Sequence, residues 1–175
     1  METWTCIRTR RTVRDFRPEP VPEAAIRRIL EAGRLAPSAL NRQPWHFVVV
    51  RDRQRLTALG EACQTGPFVA QAAFAVVVAV DPQNPYREID GARAVQQMEL
   101  AAWDQGVGMC WIAGFDGARV AQLVDLPDQW QVLTVLAFGY PADAGRPRRK
   151  GVKKAFDEGV SWERFGQGGG GRPWP

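Results

Sequence analysis

Apolar residues recur in two rhythms along this chain. Ile26, Ile29, Leu30 and Gly33 return at the helical interval with Arg27, Arg28 and Glu31 on the other side, which predicts an amphipathic helix over 22–35. Pro22 suits a first helical position, and Glu23 lies where the helix dipole favours an acid. The second rhythm is the continuous apolar run. Strands are predicted at 46–51, at AlaPheAlaValValValAlaVal over 73–80, from Met109 to Gly114, and over 130–140. Between them fall a helix from about Asp52 to Cys63 with Leu56 and Leu59 inward, a long helix over 89–105, and a short one over 117–124. In the long helix Ala92, Val95, Met98 and Ala102 mark an apolar stripe, widened by Leu100 and Trp103, and its small and apolar character predicts deep burial.

Past residue 140 the pattern changes. A basic stretch leads to a short helix between Val152 and Gly159, then an extended arm, SerTrpGluArgPhe, and a run of glycines. An arm this short cannot bury its own Trp162 and Phe165, so it is expected to pack on a partner subunit. Strands interleaved with helices predict an α+β layered protein: one domain over 1–165, then a flexible Gly-rich tail over 166–175. A chain of 175 residues is long enough for one real core, burying roughly 70% of its extended surface.

Composition narrows the setting. Three cysteines, Cys6, Cys63 and Cys110, are odd in number and far apart, which argues against a disulfide framework or a zinc site and for a reducing compartment. His46 is the only histidine, so no multi-histidine metal site is expected. The N-terminus lacks a signal-peptide core, and the longest apolar stretch falls short of the ~20 residues that span a bilayer. A cytoplasmic protein with no membrane partner is the expectation. Net charge is +4, with five arginines between Arg8 and Arg17. Such a cluster attracts a polyanion or a single phosphate group.

Three stretches carry candidate chemistry. In APSALNRQPWHF, residues 36–47, two prolines frame an ordered loop offering Ser38, Asn41, Arg42 and Gln43. Its amides can hydrogen-bond the edge of a flat heterocycle, or merely cap the loop's own backbone. Arg10, Arg11, Thr12 and Arg14 combine forked guanidinium donors with a hydroxyl, as a phosphate requires, and a second basic set stands at Arg146, Arg148, Arg149 and Lys150. The third is CysTrpIleAlaGlyPhe at 110–115, where small residues at a strand end let a planar ligand approach the backbone. GlyValGly at 106–108 follows a helix and lacks a third glycine, so it is no dinucleotide fingerprint, and no P-loop lysine motif exists.

Taken in order, these pieces resemble the FMN-dependent nitroreductase family. ArgArgThrValArgAspPhe at 10–16 is similar to its opening motif and APSALNRQPWHF to its central loop. ProGlnAsnProTyr through Ala102 and on to GlyValGlyMetCysTrpIleAlaGlyPhe follows the family's helix into its flavin strand. PheGlyTyrProAla and then ArgArgLysGly resemble its close. The resemblance implies a three-layer fold, a central mixed or antiparallel sheet flanked by helices, and a C-terminal arm exchanged in a homodimer. It implies FMN as cofactor and NAD(P)H as electron donor. Arg10, Arg11, Thr12 and one or more of Arg148, Arg149 and Lys150 would hold the phosphate and ribityl chain. Arg14 and Asn41, with Gln43 nearby, would face the pyrimidine. Backbone of Pro37, Ser38 and Ala39 would come from the other subunit, and Ile112, Ala113 and Gly114 would border the flavin, the Ala113 N–H reaching N5. No side chain need be a catalytic acid or base, with Arg14 tuning the flavin and no metal taking part.

The implied activity is transfer of reducing equivalents from NAD(P)H through flavin to a flat electrophile, such as a nitroaromatic or quinone, by a ping-pong route. The alternatives are a specialised flavoenzyme of the same fold (a dehalogenase or flavin-fragmenting enzyme) and a redox-inert FMN-binding protein. Thr12 where serine is common keeps the hydroxyl, and Gly151 replaces a common proline. The short 81–91 segment leaves little chain for a substrate lid, which favours the general reductase. A nucleic-acid-binding module built on the two basic stretches is the rival from another class, and it predicts no chromophore and a steep salt dependence.

Overall fold

A computed structural model describes residues 1–143 and 153–167. Its centre is a four-stranded, wholly antiparallel sheet made of β1 (Trp45–Val50), β2 (Phe74–Val80), β3 (Gly108–Ile112) and β4 (Gln131–Gly139) in the order β1-β2-β4-β3. Every residue of β2 is buried, because apolar side chains cover both faces of the sheet. Ala75 and Val77, with Val135 and Ala137 of β4, pack on one side; Phe74, Val76 and Val78, with Leu136 and Phe138, pack on the other. That two-sided burial is why the sequence shows a continuous run rather than alternation. Register follows the same residues: Phe74 stands opposite Phe138, their rings stacked at 4.7 Å.

Helices form the outer layers. On one side α2 (Glu23–Arg34) packs against α4 (Arg87–Asp104), burying Ile26 and Ile29 with Val95, Met98 and Ala102. On the other, α3 (Arg53–Ala62) brings Leu56 and Leu59 inward beside α5 (Gly117–Leu123). Asp52 and Asp116 cap these last two helices, accepting the N–H groups of Arg55 at 2.9 Å and Arg119 at 3.0 Å. The expected deep burial of the long helix is corrected in one respect. Ala94, not Ala92, lies in the core, and Ala92 is exposed on the opposite side of α4, while Leu100 and Trp103 are half-buried.

One α-helix has no counterpart in the sequence reading: α1, Thr3–Thr9. It buries only Cys6, so no apolar periodicity announces it. A seven-residue helix is marginal alone, and here its ends are fastened. The Glu2 carboxylate accepts the Trp4 and Thr5 N–H groups at 2.9 Å each, Trp103 Nε1 donates to Thr9 Oγ1 at 2.9 Å, and the N-terminal amine pairs with Asp104.

The chain divides into two compact units, residues 1–144 and 145–175. In the second unit a four-residue helix, α6 (Phe156–Gly159), precedes a loop closed by the Trp162 N–H donating to Gln167 O at 2.8 Å. The expected glycine tail from 168 onward lies outside the described residues. No helix among the described residues is long and apolar enough to cross a membrane.

Candidate functional site

The segment after α1 is seated on the outer edge of β3. Thr12 forms a parallel bridge with Met109, and the Val13 N–H donates to Met109 O at 3.0 Å. Val13 and Phe16 point into the core, which leaves Arg10, Thr12 and Arg14 directed to the other side. Gly108 permits this seating: a Cβ there would stand 2.4 Å from Val13 Cγ2.

Those three side chains line one cavity of about 350 Å³ with Met109 and Trp111 of β3 and Ala92, Val95, Gln96 and Glu99 of α4. Trp111 is the exposed member of an otherwise buried strand, at 38% exposure. Two guanidinium groups against one carboxylate leave the cavity cationic. Arg10 Nη1 donates to Glu99 Oε1 at 3.1 Å, and Gln96 Nε2 donates to Glu99 Oε2 at 2.9 Å. The Arg14 charge acts on the Cys110 thiol of β3. Burial pushes that thiol's pKa up, and the Arg14 charge offsets part of the rise.

Arg11, expected beside these residues, is directed elsewhere. It makes two hydrogen bonds to Asp143, at 2.6 and 2.7 Å, and lies over the Trp103 ring at 6.0 Å. The α4 contribution was missed in the sequence, although its signal is there. Ala92, Val95, Gln96 and Glu99 fall at helical spacing, and the last two put polar groups on a second face of a helix read for one.

The loop from Pro37 to Gln43 does not reach this cavity within one chain. Its backbone is unusual: Leu40, Asn41 and Gln43 have φ of 51°, 55° and 48°, in the left-handed region that favours glycine. Leu40 is 83% exposed there. Local bonds hold the shape. Ser38 Oγ accepts the Gln43 N–H at 2.9 Å, the Asn41 N–H donates to Ser38 O at 3.0 Å, and Gln43 Nε2 donates to Asn41 O at 3.1 Å. Ser38 and Gln43 thus serve the loop itself, Gln43 Nε2 also donating to Asn41 Oδ1 at 3.3 Å. The Ala39 N–H donates to the buried Asp90 carboxylate at 3.0 Å.

At the far end of β3, Ile112 is buried and Ala113 is exposed. Both backbone polar groups of Gly114 are engaged by Thr65, its N–H donating to Thr65 Oγ1 at 3.0 Å and its carbonyl accepting the Thr65 N–H at 3.2 Å. A Cβ on Gly114 would stand 2.6 Å from Thr65 Cγ2. Arg148 and Arg149, with Lys150, lie outside the described residues.

Comparison with known proteins agrees with this architecture. A model of the nitroreductase family matches residues 7–88 and 65–140. An Archaeoglobus fulgidus protein provisionally named NADH dehydrogenase/NAD(P)H nitroreductase is 36% identical over 146 residues, 78% of this chain and 84% of its own. The NADH dehydrogenase of Thermus thermophilus is 31% identical, covering 86% of this chain and 92% of its own. The crystal structure of a nitroreductase with bound FMN from Bacteroides fragilis superposes with a TM-score of 0.76 at 26% identity, covering 89% of this chain and 97% of that one. Matched along most of its length by both the family model and relatives above 30% identity, this chain belongs to the nitroreductase family.

Proposed function

We propose that the protein is an FMN-dependent oxidoreductase that takes electrons from NAD(P)H and passes them to a flat electrophilic acceptor, a nitroaromatic or quinone, by a ping-pong route. The observation that carries this reading is the convergence of Arg10, Thr12 and Arg14 on one cavity at the edge of β3. The donor set fits the cofactor. Arginine forks and a hydroxyl suit a phosphate and ribityl chain, a permanent cation suits the electron-rich edge of a flavin, and Met109 and Trp111 add apolar surface. The names of the Thermus and Archaeoglobus relatives support NAD(P)H as donor, and the FMN held by the Bacteroides protein supports the cofactor.

Bound FMN would supply the two-electron chemistry itself. The chain's part is to bind, orient and tune. Arg10 and Thr12 anchor the phosphate end. Arg14 stands at the pyrimidine edge, where its charge favours the reduced state. The cavity and the Pro37–Gln43 loop are separate within one chain, so the complete site is a homodimer's. One subunit gives the β3 cavity with Ala113, and its partner gives the loop, with Pro37, Ser38 and Ala39 as backbone and Asn41 as side chain. The arm carrying Trp162 and Phe165 is exchanged with the partner. Three free, buried cysteines suit a cytoplasmic setting.

The test is the visible spectrum of the purified protein, followed by anaerobic addition of NADPH and, separately, NADH. A yellow protein bleached by either donor is expected. A protein that stays colourless with added FMN would overturn the proposal, and a yellow one that neither donor bleaches would reduce it to flavin binding.

A further inference from the structure

The arginine best placed for an anion already has one. Arg10 is paired with Glu99 at 3.1 Å, and Glu99 is an unusual partner: its side chain is only 12% exposed, and its second oxygen is held by Gln96 at 2.9 Å. All three residues line the β3 cavity. A carboxylate fixed on both oxygens at the wall of a cationic cavity is a built-in occupant for the guanidinium, standing where an incoming phosphate would be bound.

Resting on the flavin-site reading above, we infer that Glu99 is an affinity-setting residue: a counter-ion that the cofactor's phosphate must displace from Arg10 or repel across it. The physical reasoning has two parts. A phosphate near neutral pH carries between one and two negative charges, so a half-buried carboxylate beside it is opposed more strongly than at a solvated surface. Arg10 is also shared, because each N–H it gives Glu99 is withheld from phosphate. Glu99 therefore lowers affinity for phosphorylated flavins while leaving neutral ones almost untouched, and it makes the cofactor exchangeable. Arg14, the other guanidinium of the cavity, has no carboxylate partner among the described ion pairs.

Glu99→Gln tests this directly. It keeps the side chain's length, removes the charge, and leaves an amide that can still accept from Arg10. Apoprotein of wild type and variant is titrated with FMN and with riboflavin, following quenching of flavin fluorescence. The expected result is FMN bound about tenfold more tightly by Glu99→Gln, with riboflavin changed less than about twofold. Glu99→Met, which keeps the bulk without a polar atom, should show the same selective gain and serves if Glu99→Gln folds poorly. With Arg10→Ala added to either variant, the part of the gain that comes from freeing Arg10 is lost and the part that comes from removing the repulsion remains, so a smaller gain than in the single variant is expected. Equal changes for FMN and riboflavin, or weaker FMN binding, would overturn the inference while leaving the flavin site standing. Flavin binding by none of the proteins would overturn both.

Discussion

Asp90, in the first turn of α4, accepts the backbone N–H of Ala39 at 3.0 Å from a position only 1% exposed. This bond joins the loop that carries Asn41 to the helix that carries Glu99. Nine residues separate Asp90 from Glu99, roughly 13.5 Å along a helix. One rigid element therefore sets the height of the loop relative to the cavity wall. An acid also suits a helix N-terminus, so the position is favourable for α4 as well as for the loop.

Asp90→Ala should therefore act twice. It leaves the Ala39 N–H without its acceptor and releases a loop whose left-handed residues are held by few bonds. A loss of about 1.5–3 kcal/mol is expected in urea unfolding, the range for a hydrogen bond to a charged group. Flavin retention should fall alongside, read by gel filtration at low protein concentration. Asp90→Asn keeps an acceptor and should recover most of both. Equal losses in Asn and Ala variants would mean that charge, not the bond to Ala39, is what matters.

The layers of this fold were legible because they depend on apolar pattern. Leu56 and Leu59, or Val95 and Met98, face the core at the intervals that predict it, and β2 is buried on both sides as its unbroken run requires. What stayed hidden depends on single contacts between distant residues. No local pattern pairs Arg10 with Glu99 or turns Arg11 toward Asp143, because each choice is made by what the fold brings alongside. The Thr3–Thr9 helix escaped for a similar reason: its stability comes from Glu2 capping and from Trp103 and Asp104, not from an apolar stripe. The packing of Thr65 against Gly114 is another contact between distant residues that no local pattern announces.

Gly108→Ala tests whether the arginine segment owes its position to β3. The added Cβ would meet Val13 Cγ2 at 2.4 Å and Val13 Cβ at 2.6 Å, and a β-branched side chain has little freedom to withdraw. Overpacking of this kind costs about 1–3 kcal/mol. The Thr12–Met109 bridge should loosen, carrying Thr12 and Arg14 away from Trp111. The expected outcome is a lower thermal midpoint and weaker FMN binding together. Full cofactor affinity in a destabilised protein would separate the segment's seating from the site.

Arg10→Ala removes the proposed phosphate contact but also frees the Glu99 carboxylate, so the variant loses an attraction and keeps a repulsion. FMN binding should weaken by about 1.5–3 kcal/mol, the worth of a charge-assisted hydrogen bond, measured by fluorescence titration. Riboflavin, lacking the phosphate, should be nearly indifferent. A comparable loss for both ligands would place Arg10 beside the ring or ribityl chain instead.

Burial pushes the Cys63 thiol up to about 11 from an ordinary value of 9.0. Below pH 9 the thiol is neutral in folded and unfolded chains, so its contribution is fully present. As pH rises from 9 toward 11 the unfolded chain loses this proton first, and stability falls. The loss amounts to about 1.4 kcal/mol at pH 10, one unit above the unfolded value. Urea unfolding of wild type and Cys63→Ala at pH 8 and pH 10 isolates it, because other alkaline titrations cancel in the difference. The wild-type advantage should shrink by that amount, and an unchanged difference would mean the thiolate is tolerated in the core.

Arg14 is the residue whose role in the proposed chemistry is electrical. It lines the cavity beside Trp111, and its charge acts on the Cys110 thiol of β3. A fixed cation at the pyrimidine edge of bound flavin favours the reduced state, and its removal should lower the midpoint potential. A shift of roughly 30 mV corresponds to about 1.4 kcal/mol for a two-electron couple, a reasonable value for one partly screened charge. Arg14→Lys retains the charge without the planar fork and should recover most of the potential. Spectroelectrochemistry of the three proteins decides it. A potential that follows charge, low in Ala and near wild type in Lys, supports the tuning role. Equal potentials in all three would overturn the tuning role.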